Sequence, residues 1–210
     1  MVRNSTFVRN RAISYSNIVE GGGGVLFSLE CTVIIAESKL DGNTATSKKG
    51  GGGALYSSKS TIALKANEFN SNSATSERTD TGGVLHSDHS FVKITASEFN
   101  HNTAVKGGVV RSEHCNITII ASRFYDNHAT SKGVIRFAVS RGGVLYSESS
   151  TVIIQFASEY YGNTTICEGG VIFSHNSSIS IETKSFESAT EYHELEGVLR
   201  SMEDGKKFHR

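Results

Sequence analysis

The sequence of 210 residues contains no proline, carries no net charge and has no long apolar segment. Because proline cannot donate a hydrogen bond to an interior sheet ladder, its absence suits a chain in which nearly every strand is paired on both sides. Lysine plus arginine number 21 and aspartate plus glutamate also number 21, so there is no overall field to attract nucleic acid. No apolar run approaches the ~18 residues that a membrane-spanning helix needs. We therefore expect neither a nucleic-acid partner nor a transmembrane segment.

Only three cysteines are present, Cys31, Cys115 and Cys167, and they predict no disulfide framework. Cys31 and Cys115 occupy the same position of a repeated motif, where other copies have serine, which indicates small side chains in a packed column. Stacked copies would place these two cysteines about 14 Å apart, at ~4.8 Å per coil. A disulfide needs Cα atoms within about 7 Å of each other. The cysteines therefore do not identify the cellular compartment.

The chain consists largely of six copies of one motif, in which Gly-Gly-apolar-apolar-x-Ser is followed by a Val/Ile segment and then by aromatic-x-x-Asn-x-Ala. The second glycines of the copies are Gly24, Gly53, Gly83, Gly108, Gly143 and Gly170. The motif asparagines are Asn43, Asn72, Asn102, Asn127 and Asn163. The spacing from glycine to asparagine is 19 residues in the first four copies and 20 in the copy that starts at Gly143. A fixed period of this size is typical of a solenoid.

Positions counted from the second glycine of each copy form columns with distinct chemistry. Positions nine and eleven are Val, Ile or Leu, as in Ile62 and Leu64, whereas position ten between them is mixed. This alternation predicts a strand with one face in a narrow core. Position sixteen, which is Phe69 in the second copy, is aromatic or leucine and is expected to fill that core. The motif asparagine is expected at a turn, where its side chain can bond to turn amides and to the neighbouring asparagine.

Stacked copies of this motif predict an all-β fold, a right-handed parallel β-helix of about six to seven coils. Each copy is too short to bury its apolar face alone, so the copies share one continuous core. The glycine pair is expected at a sharp turn that requires positive φ or close backbone approach. We expect residues 1–210 to be a single β-helix segment of a longer repeat protein. Within it, residues 1–20 would form a partial first coil, residues 131–141 a loop insertion and residues 191–210 an incomplete last coil.

The motifs resemble those of the polymorphic outer membrane proteins of chlamydiae, whose passenger regions contain repeated GGA(I/L/V) and FxxN motifs. GGAL stands at residues 52–55, and FxxN stands at Phe7–Asn10, Phe69–Asn72, Phe99–Asn102 and Phe124–Asn127. The pattern is also similar to that of right-handed β-helix repeat proteins of eukaryotes. The resemblance covers nearly the whole chain and implies a secreted, surface-displayed protein that acts in adhesion. It transfers no catalytic residues.

One column carries acidic side chains on three successive copies, namely Asp88, Glu113 and Glu148 at position five. His89 and His114 follow two of them. Carboxylates about 5 Å apart could bind Ca²⁺ or act as the acid and nucleophile of a glycosidase. The alternative is that they are solvated residues just beyond a strand end, and we favour this alternative. We therefore expect no metal site and no cofactor.

Position three carries a row of aromatic and basic residues that is expected to point outward from the first strand of each coil. Its members are Phe27, Tyr56, His86, Arg111, Tyr146 and Phe173. An exposed row of this kind on a flat sheet could bind a glycan or a partner protein. It could equally be a cross-coil stack that stabilises the sheet. The sequence leaves both interpretations open.

Four Asn-x-Ser/Thr triplets are candidate glycosylation sites in a eukaryotic secretory route. They begin at Asn4, Asn116, Asn163 and Asn176. A chain rich in Asn, Ser and Thr also contains such triplets by chance, so we treat each of them as a candidate only.

The sequence favours a non-enzymatic β-helix scaffold, located outside the cell or at the cell surface, that serves adhesion or recognition. Its partner would be a cell-surface glycan or protein. The alternative is a carbohydrate-active enzyme, a polysaccharide lyase or glycosidase that uses Asp88, Glu113 and Glu148. A third possibility is a segment without an independent role whose coil ends associate. Measuring polysaccharide cleavage separates the first two hypotheses.

Overall fold

The computed structural model describes residues 1–14, 22–48, 50–76, 81–130, 141–155, 158–165, 171–182 and 199–202. Within these ranges all helical or extended secondary structure is β-strand, and the strands pair in parallel. The chain passes through four main sheets in a constant order, and we number these sheets 1 to 4. The prediction of an all-β parallel β-helix is confirmed.

Sheets 1 and 2 are the longest, with seven strands each. Sheet 1 consists of Leu26–Leu29, Leu55–Ser58, Leu85–Asp88, Val110–Glu113, Leu145–Glu148, Ile172–His175 and Leu199–Met202. Sheet 2 consists of Val2–Arg3, Thr32–Ala36, Thr61–Lys65, Phe91–Thr95, Asn116–Ile120, Thr151–Gln155 and Ser178–Glu182. Seven strands in each sheet agree with the expected number of coils.

Sheets 3 and 4 complete each coil with shorter strands, six in each sheet. Sheet 3 consists of Thr6–Val8, Lys39–Asp41, Glu68–Asn70, Glu98–Asn100, Arg123–Tyr125 and Glu159–Tyr161. Sheet 4 consists of Arg11–Ser14, Thr44–Ser47, Ser73–Ser76, Thr103–Ala104, His128–Ala129 and Thr164–Thr165. A two-stranded sheet, Gly51–Gly52 with Thr81–Gly82, precedes the glycine-led turn into sheet 1.

Equivalent positions of successive copies pair directly with each other. In sheet 1, Leu85 lies between Leu55 and Val110. In sheet 2, Ile62 pairs with Val92. A slip of one residue would move every apolar side chain of a strand to the solvent side. The shared apolar columns therefore fix the register along the whole stack.

The core is a narrow stack of apolar side chains, and its most regular part is an aromatic column. The rings of Phe69, Phe99, Phe124 and Tyr160 lie parallel, with centroids 4.8, 4.9 and 4.8 Å apart and interplanar angles of 3°. These side chains are at most 1% exposed. The extra residue in the copy that contains Tyr160 therefore does not disturb the column.

A ladder of buried asparagine side chains runs along the turn between sheets 3 and 4. The side-chain amide of Asn72 donates to the main-chain carbonyl of Leu40 at 2.9 Å and to Oδ1 of Asn102 at 3.0 Å. The main-chain N–H of Asn72 donates to the same Oδ1 at 2.9 Å. Equivalent bonds recur at Asn43, Asn102 and Asn127. The side chain of each asparagine thereby satisfies main-chain groups of the preceding coil.

A second ladder of small side chains lies on the corner between sheets 1 and 2. The main-chain N–H of Ser90 donates to Sγ of Cys115 at 3.4 Å, and that of Cys115 donates to Oγ of Ser150 at 3.0 Å. Cys115 is buried, and burial raises the pKa of its thiol. Cys31 is exposed, so the expected packing of this column does not extend to it. Both thiols are free, and Cys167 lies outside the described residues.

The two glycines of the motif serve different geometric needs. A Cβ atom on the second glycine, Gly53, would lie 2.0 Å from the carbonyl oxygen of Gly83 and 2.7 Å from the main-chain nitrogen of Ser73. The first glycine has positive φ in two later pairs, with φ of 64° at Gly107 and 65° at Gly142. The pair therefore allows close backbone approach, and in these two copies it also adopts a left-handed conformation. Gly170, the second glycine of the last full motif, lies outside the described residues.

The corners of each coil are made by residues with positive φ, and most of these are not glycine. In one coil they are His89, Ala96 and His101, with φ of 45°, 49° and 55°. This conformation costs about 1–2 kcal/mol for an L-residue. The main-chain hydrogen bonds of each corner to the next coil, such as His89 N–H to the Glu113 carbonyl at 2.9 Å, offset that cost.

Parts of the predicted chain organisation lie outside the described residues. These are the loop insertion at residues 131–141, except Arg141, and the last coil at residues 191–210, except residues 199–202. Residues 1–14 of the predicted first coil form three strands that pair with the following coil. Within the described ranges no helix has the length and apolar character needed to cross a membrane.

Candidate functional site

The three acidic residues of the position-five column lie in register at the end of sheet 1. Asp88 pairs with Glu113, and Glu113 pairs with Glu148. Their side chains are 21%, 37% and 32% exposed. The residue that follows each of them has positive φ and turns the chain into sheet 2. The acidic column therefore occupies the corner between sheets 1 and 2, partly shielded from solvent.

A buried guanidinium connects two of these carboxylates. The side chain of Arg111 is 3% exposed, and its Nη2 donates to Oε2 of Glu113 at 3.0 Å and to Oε2 of Glu148 at 3.3 Å. Its Nη1 donates to the main-chain carbonyl of Ser112 at 2.9 Å. One cation thus bridges the carboxylates of two neighbouring coils. In the sequence, Arg111 belongs to the row at position three, and nothing in that row indicates its pairing with the two glutamates.

Tyr146 belongs to the same cluster. Its hydroxyl donates to Oε2 of Glu148 at 3.3 Å, and its ring lies 4.9 Å from the guanidinium carbon of Arg111. Burial, together with the negative charge of Glu148, raises the pKa of Tyr146 to about 12. The phenol therefore stays neutral at physiological pH and acts as a donor to the acidic column.

Asp88 has different neighbours from the two glutamates. Its Oδ1 lies 2.7 Å from Nδ1 of His89, and its Oδ2 accepts a hydrogen bond from the Ser58 hydroxyl at 3.4 Å. The ring of His89 stacks on the ring of His114, with centroids 4.6 Å apart and an interplanar angle of 20°. Nδ1 of His114 lies 3.9 Å from Oε1 of Glu113. Two imidazoles and a carboxylate therefore share one corner of two successive coils.

The predicted exposure of the position-three row is wrong for five of its six members. Tyr56, His86, Arg111, Tyr146 and Phe173 are between 0% and 5% exposed, whereas Phe27 is 50% exposed. The rings stack along the row, with centroids 5.1 Å apart for Phe27 and Tyr56 and 5.3 Å apart for Tyr146 and Phe173. The interpretation as a cross-coil stack fits this arrangement, and the interpretation as an open binding surface does not.

Residues directly before two of the glycine pairs, Lys106 and Arg141, lie over the outer face of sheet 1. Nζ of Lys106 lies 4.7 Å from the ring centroid of Tyr146, and the guanidinium of Arg141 lies 4.6 Å from that of Phe173. Lys106 and Arg141 form a parallel bridge with each other. These residues lie in the segments of variable length between copies, which the motif columns do not include.

The four candidate glycosylation sites differ in accessibility. Asn163 is 5% exposed, and its Nδ2 donates to the main-chain carbonyl of Phe124 at 2.8 Å. Because Nδ2 is the atom that would carry a glycan, the prediction of a glycosylation site at Asn163 is wrong. Asn4, Asn116 and Asn176 are exposed, and glycosylation at these three stays a prediction.

The outer face of sheet 3 carries two stacked aromatic side chains that the motif columns did not predict. The rings of Tyr125 and Tyr161 stack with centroids 5.5 Å apart, and both side chains are partly exposed. Tyr125 donates to Oε2 of Glu159 at 3.1 Å, and Arg123 forms an ion pair with the same oxygen at 3.2 Å. Partial burial and the bond to Glu159 raise the pKa of Tyr125. The available signal was the aromatic residue that directly follows the core aromatic Phe124 or Tyr160 in each of these two copies.

Comparison of the chain with models of known protein families, with curated proteins and with solved structures finds no match. The resemblance to the polymorphic outer membrane proteins therefore rests on the GGAL and FxxN motifs, and it remains a proposal.

Proposed function

We propose that the chain is a non-enzymatic β-helix scaffold that acts in adhesion or recognition, outside the cell or at the cell surface. The observation that carries this proposal is the bridging of Glu113 and Glu148 by the buried guanidinium of Arg111. Together with Asp88, these glutamates are the groups on which the enzymatic alternative depends.

A glycosidase of the common type needs one carboxyl group protonated as the acid and another ionised. Arg111 Nη2 donates to Oε2 of Glu113 at 3.0 Å and to Oε2 of Glu148 at 3.3 Å. Both glutamates are therefore engaged in holding a buried guanidinium in place, and neither presents a free carboxyl group to a substrate. This arrangement favours the scaffold over the enzyme.

The internal ladders are consistent with a rigid scaffold that holds surface residues at fixed positions. Asparagine, serine and aromatic columns tie each coil to the next, so the outer side chains keep fixed spacings of about 4.8 Å. On sheet 3, Tyr125 and Tyr161 present two rings next to the ion pair of Arg123 and Glu159. Aromatic bodies with polar tips are frequent at recognition surfaces. We infer that this surface contacts a cell-surface glycan.

The resemblance to the chlamydial polymorphic outer membrane proteins, and to similar β-helix repeat proteins of eukaryotes, supports the proposed location and role. In that family the repeats form a surface-displayed passenger that acts in adhesion. We propose the same setting for this chain.

The glycan proposal is tested by measuring binding of the purified chain to an array of cell-surface glycans. Tyr161→Ala is expected to weaken binding about tenfold, which corresponds to ~1.4 kcal/mol and is within the range for losing one aromatic contact. Phe91→Ala is the matched control, because Phe91 is also an exposed aromatic residue, 60% exposed, but lies on sheet 2. Equal losses in both variants would contradict recognition through sheet 3.

The choice between scaffold and enzyme is tested separately with a panel of polysaccharides, with and without Ca²⁺. We expect no cleavage by the chain. Cleavage that disappears in Glu113→Gln would overturn the scaffold proposal and establish the acidic column as catalytic. Glu68→Gln, which changes an exposed acid on sheet 3, controls for a nonspecific effect of the substitution.

A further inference from the structure

Asp88, His89 and His114 form a cluster that neither the scaffold role nor the repeat itself explains. One potential ligand atom from each of these side chains lies within 4.8 Å of the other two. We propose that this cluster binds a zinc ion, or a chemically similar divalent transition metal, across two successive coils. The proposal departs from the expectation of the sequence analysis that no metal is bound, and it is independent of the proposed function.

The chemistry of the ligands selects the class of metal. Two imidazole nitrogens and one carboxylate oxygen match the ligands that zinc takes in proteins, with water in a fourth, open position. Calcium and magnesium prefer sites made of oxygen ligands only. The cluster therefore favours a transition metal over the Ca²⁺ that an acidic column alone would attract.

The charges around the cluster leave Asp88 as the anionic ligand. Arg111 engages the carboxylates of Glu113 and Glu148, so these two are already compensated. Asp88 instead faces the imidazole of His89 at 2.7 Å and the hydroxyl of Ser58 at 3.4 Å. A metal ion at this position would contact the carboxylate of Asp88 and the imidazole of His89 at the same time.

The backbone geometry brings the two imidazoles together. His89 and His114 occupy the same corner of neighbouring coils, both with positive φ, of 45° and 51°. Ligand atoms about 2.0–2.1 Å from a tetrahedral zinc ion lie roughly 3.3 Å apart. The potential ligand atoms, which lie within 4.8 Å of one another, must therefore approach each other by up to about 1.5 Å to bind zinc. The imidazole side chains are 55% and 47% exposed, so small rotations about their side-chain bonds can do this without moving the backbone.

The cluster is confined to one pair of coils. At the same corner the neighbouring coils carry Lys59 on one side and Ser149 on the other. Neither a lysine ammonium nor a serine hydroxyl is a usual zinc ligand. Among the residues that the structure describes, the possible metal ligands therefore come together only at the two neighbouring coils that carry His89 and His114. A bound ion would link the side chains of these two coils.

The test measures zinc binding by isothermal titration calorimetry in a chain that carries Cys31→Ser and Cys167→Ser, because thiolates also bind zinc. We expect one zinc ion per chain. His89→Asn and His114→Asn should each weaken binding at least about tenfold, as expected for loss of a metal ligand. Asparagine tolerates positive φ, so these variants keep the corner conformation.

His101→Asn is the matched control. His101 also lies at a corner with positive φ, of 55°, and its Nε2 lies 3.8 Å from Oδ2 of Asp126. It presents one imidazole beside one carboxylate, without the stacked imidazole of His114. Its substitution should change zinc affinity by less than about twofold, because single ion pairs of this kind lack the ligand number that zinc requires.

Two further measurements separate a built site from loose surface binding. Zinc should raise the melting temperature of the parent chain and of His101→Asn, but not that of His89→Asn or His114→Asn. An excess of Ca²⁺ should not displace the zinc. Failure of the parent chain to bind zinc, unchanged affinity in both cluster variants, or an equal loss in His101→Asn would each overturn the proposal.

Discussion

The asparagine ladder allows a quantitative test of what holds the coils together. Asn70 is the last residue of a sheet 3 strand, and Asn72 lies in the turn two residues later. Asn72 is fully buried in the ladder, whereas Asn70 lies on the outer face of sheet 3. Substituting each by alanine removes the same chemical group from the two environments. The two variants lose the same chemical group, so the difference between their losses of unfolding free energy measures the contribution of the ladder.

The expected magnitude follows from the groups that lose a partner. In Asn72→Ala, the main-chain N–H of Asn43 loses its bond to Oδ1, measured at 3.0 Å, and the carbonyl of Leu40 loses its bond from Nδ2, measured at 2.9 Å. The N–H of Asn43 is then buried without a partner, which costs about 1–3 kcal/mol. The carbonyl of Leu40 keeps its place in the ladder of sheet 3, so loss of its second bond adds only about 1 kcal/mol. The variant should therefore lose about 2–4 kcal/mol. Asn70→Ala removes one part-buried bond, from the Asn100 amide at 3.1 Å, and should lose about 1 kcal/mol or less.

The measurement is urea unfolding followed by circular dichroism in the β-sheet region. The midpoint of Asn72→Ala should fall well below that of Asn70→Ala, with similar slopes, because the surface exposed on unfolding is nearly the same. Equal midpoints for the two variants would refute the reasoning. That result would mean that the main-chain groups of the turn find other partners once the side chain is removed.

Two other predictions address the backbone and the buried phenols. A Cβ atom on Gly53 would meet the carbonyl oxygen of Gly83 at 2.0 Å, whereas one on Gly22 would meet nothing within 4 Å. Gly53→Ala should therefore lower the unfolding free energy by about 3 kcal/mol or more, Gly22→Ala should change it little, and equal urea midpoints would contradict the close approach. Burial raises the pKa of Tyr160, and it raises that of Tyr146 to about 12. Because the unfolded phenols ionise near pH 10 and the folded ones do not, stability should fall as the pH rises above about 10. Tyr160→Phe should show a smaller fall between about pH 8 and pH 11 than the parent chain, and an unchanged fall would show that Tyr160 does not contribute.

The columns of buried residues inside the β-helix were predictable, because a side chain at a given motif position meets the same neighbours in every copy. Leu55, Leu85 and Val110 lie at the same position and meet the same neighbours above and below. A polar residue there would lose its water without gaining a partner. The repeated asparagine and the aromatic position follow the same logic, so the period and the core could be read without coordinates.

The burial of the outer face of sheet 1 could not be predicted in this way. The segments that cover it, such as those containing Lys106 and Arg141, differ in length and composition between copies. They form no column, and the position-three row therefore looked exposed. The rings of Tyr146 and Phe173 are instead covered by the cationic groups of Lys106 and Arg141.

The positive φ of the corner residues could not be predicted, for a related reason. Positive φ is usually signalled by glycine, but the corner positions hold Ala96, His101 and Lys59, among others. Their main-chain N–H groups donate to the next coil, as that of Lys59 does to the Asp88 carbonyl at 2.9 Å and that of Ala96 to the Ile120 carbonyl at 3.0 Å. No side-chain preference at a single position reveals this conformation.

The acidic column was predicted, but its partner was not, because Arg111 was assigned to a column of its own. The decisive contacts run between columns, from position three of one coil to position five of the same coil and of the next. The buried charge of Arg111 requires anionic partners. Glu113 and Glu148 are therefore explained by the residue that breaks the aromatic row.

Two neighbouring coils, those that contain His86 and Arg111, depart from the repeat at two positions. Aromatic residues hold position three at Tyr56 and Tyr146, and the two coils between them carry His86 and Arg111 instead. Those two coils also carry His89 and His114 at the corner. The row stays in contact there, because the ring of His86 lies 5.1 Å from that of Tyr56 and the guanidinium of Arg111 lies 4.9 Å from that of Tyr146. The aromatic stack alone therefore does not explain why these two coils differ from the others. Because the change of residue type coincides with the paired imidazoles, these two coils are where a specialised site on this β-helix is to be sought.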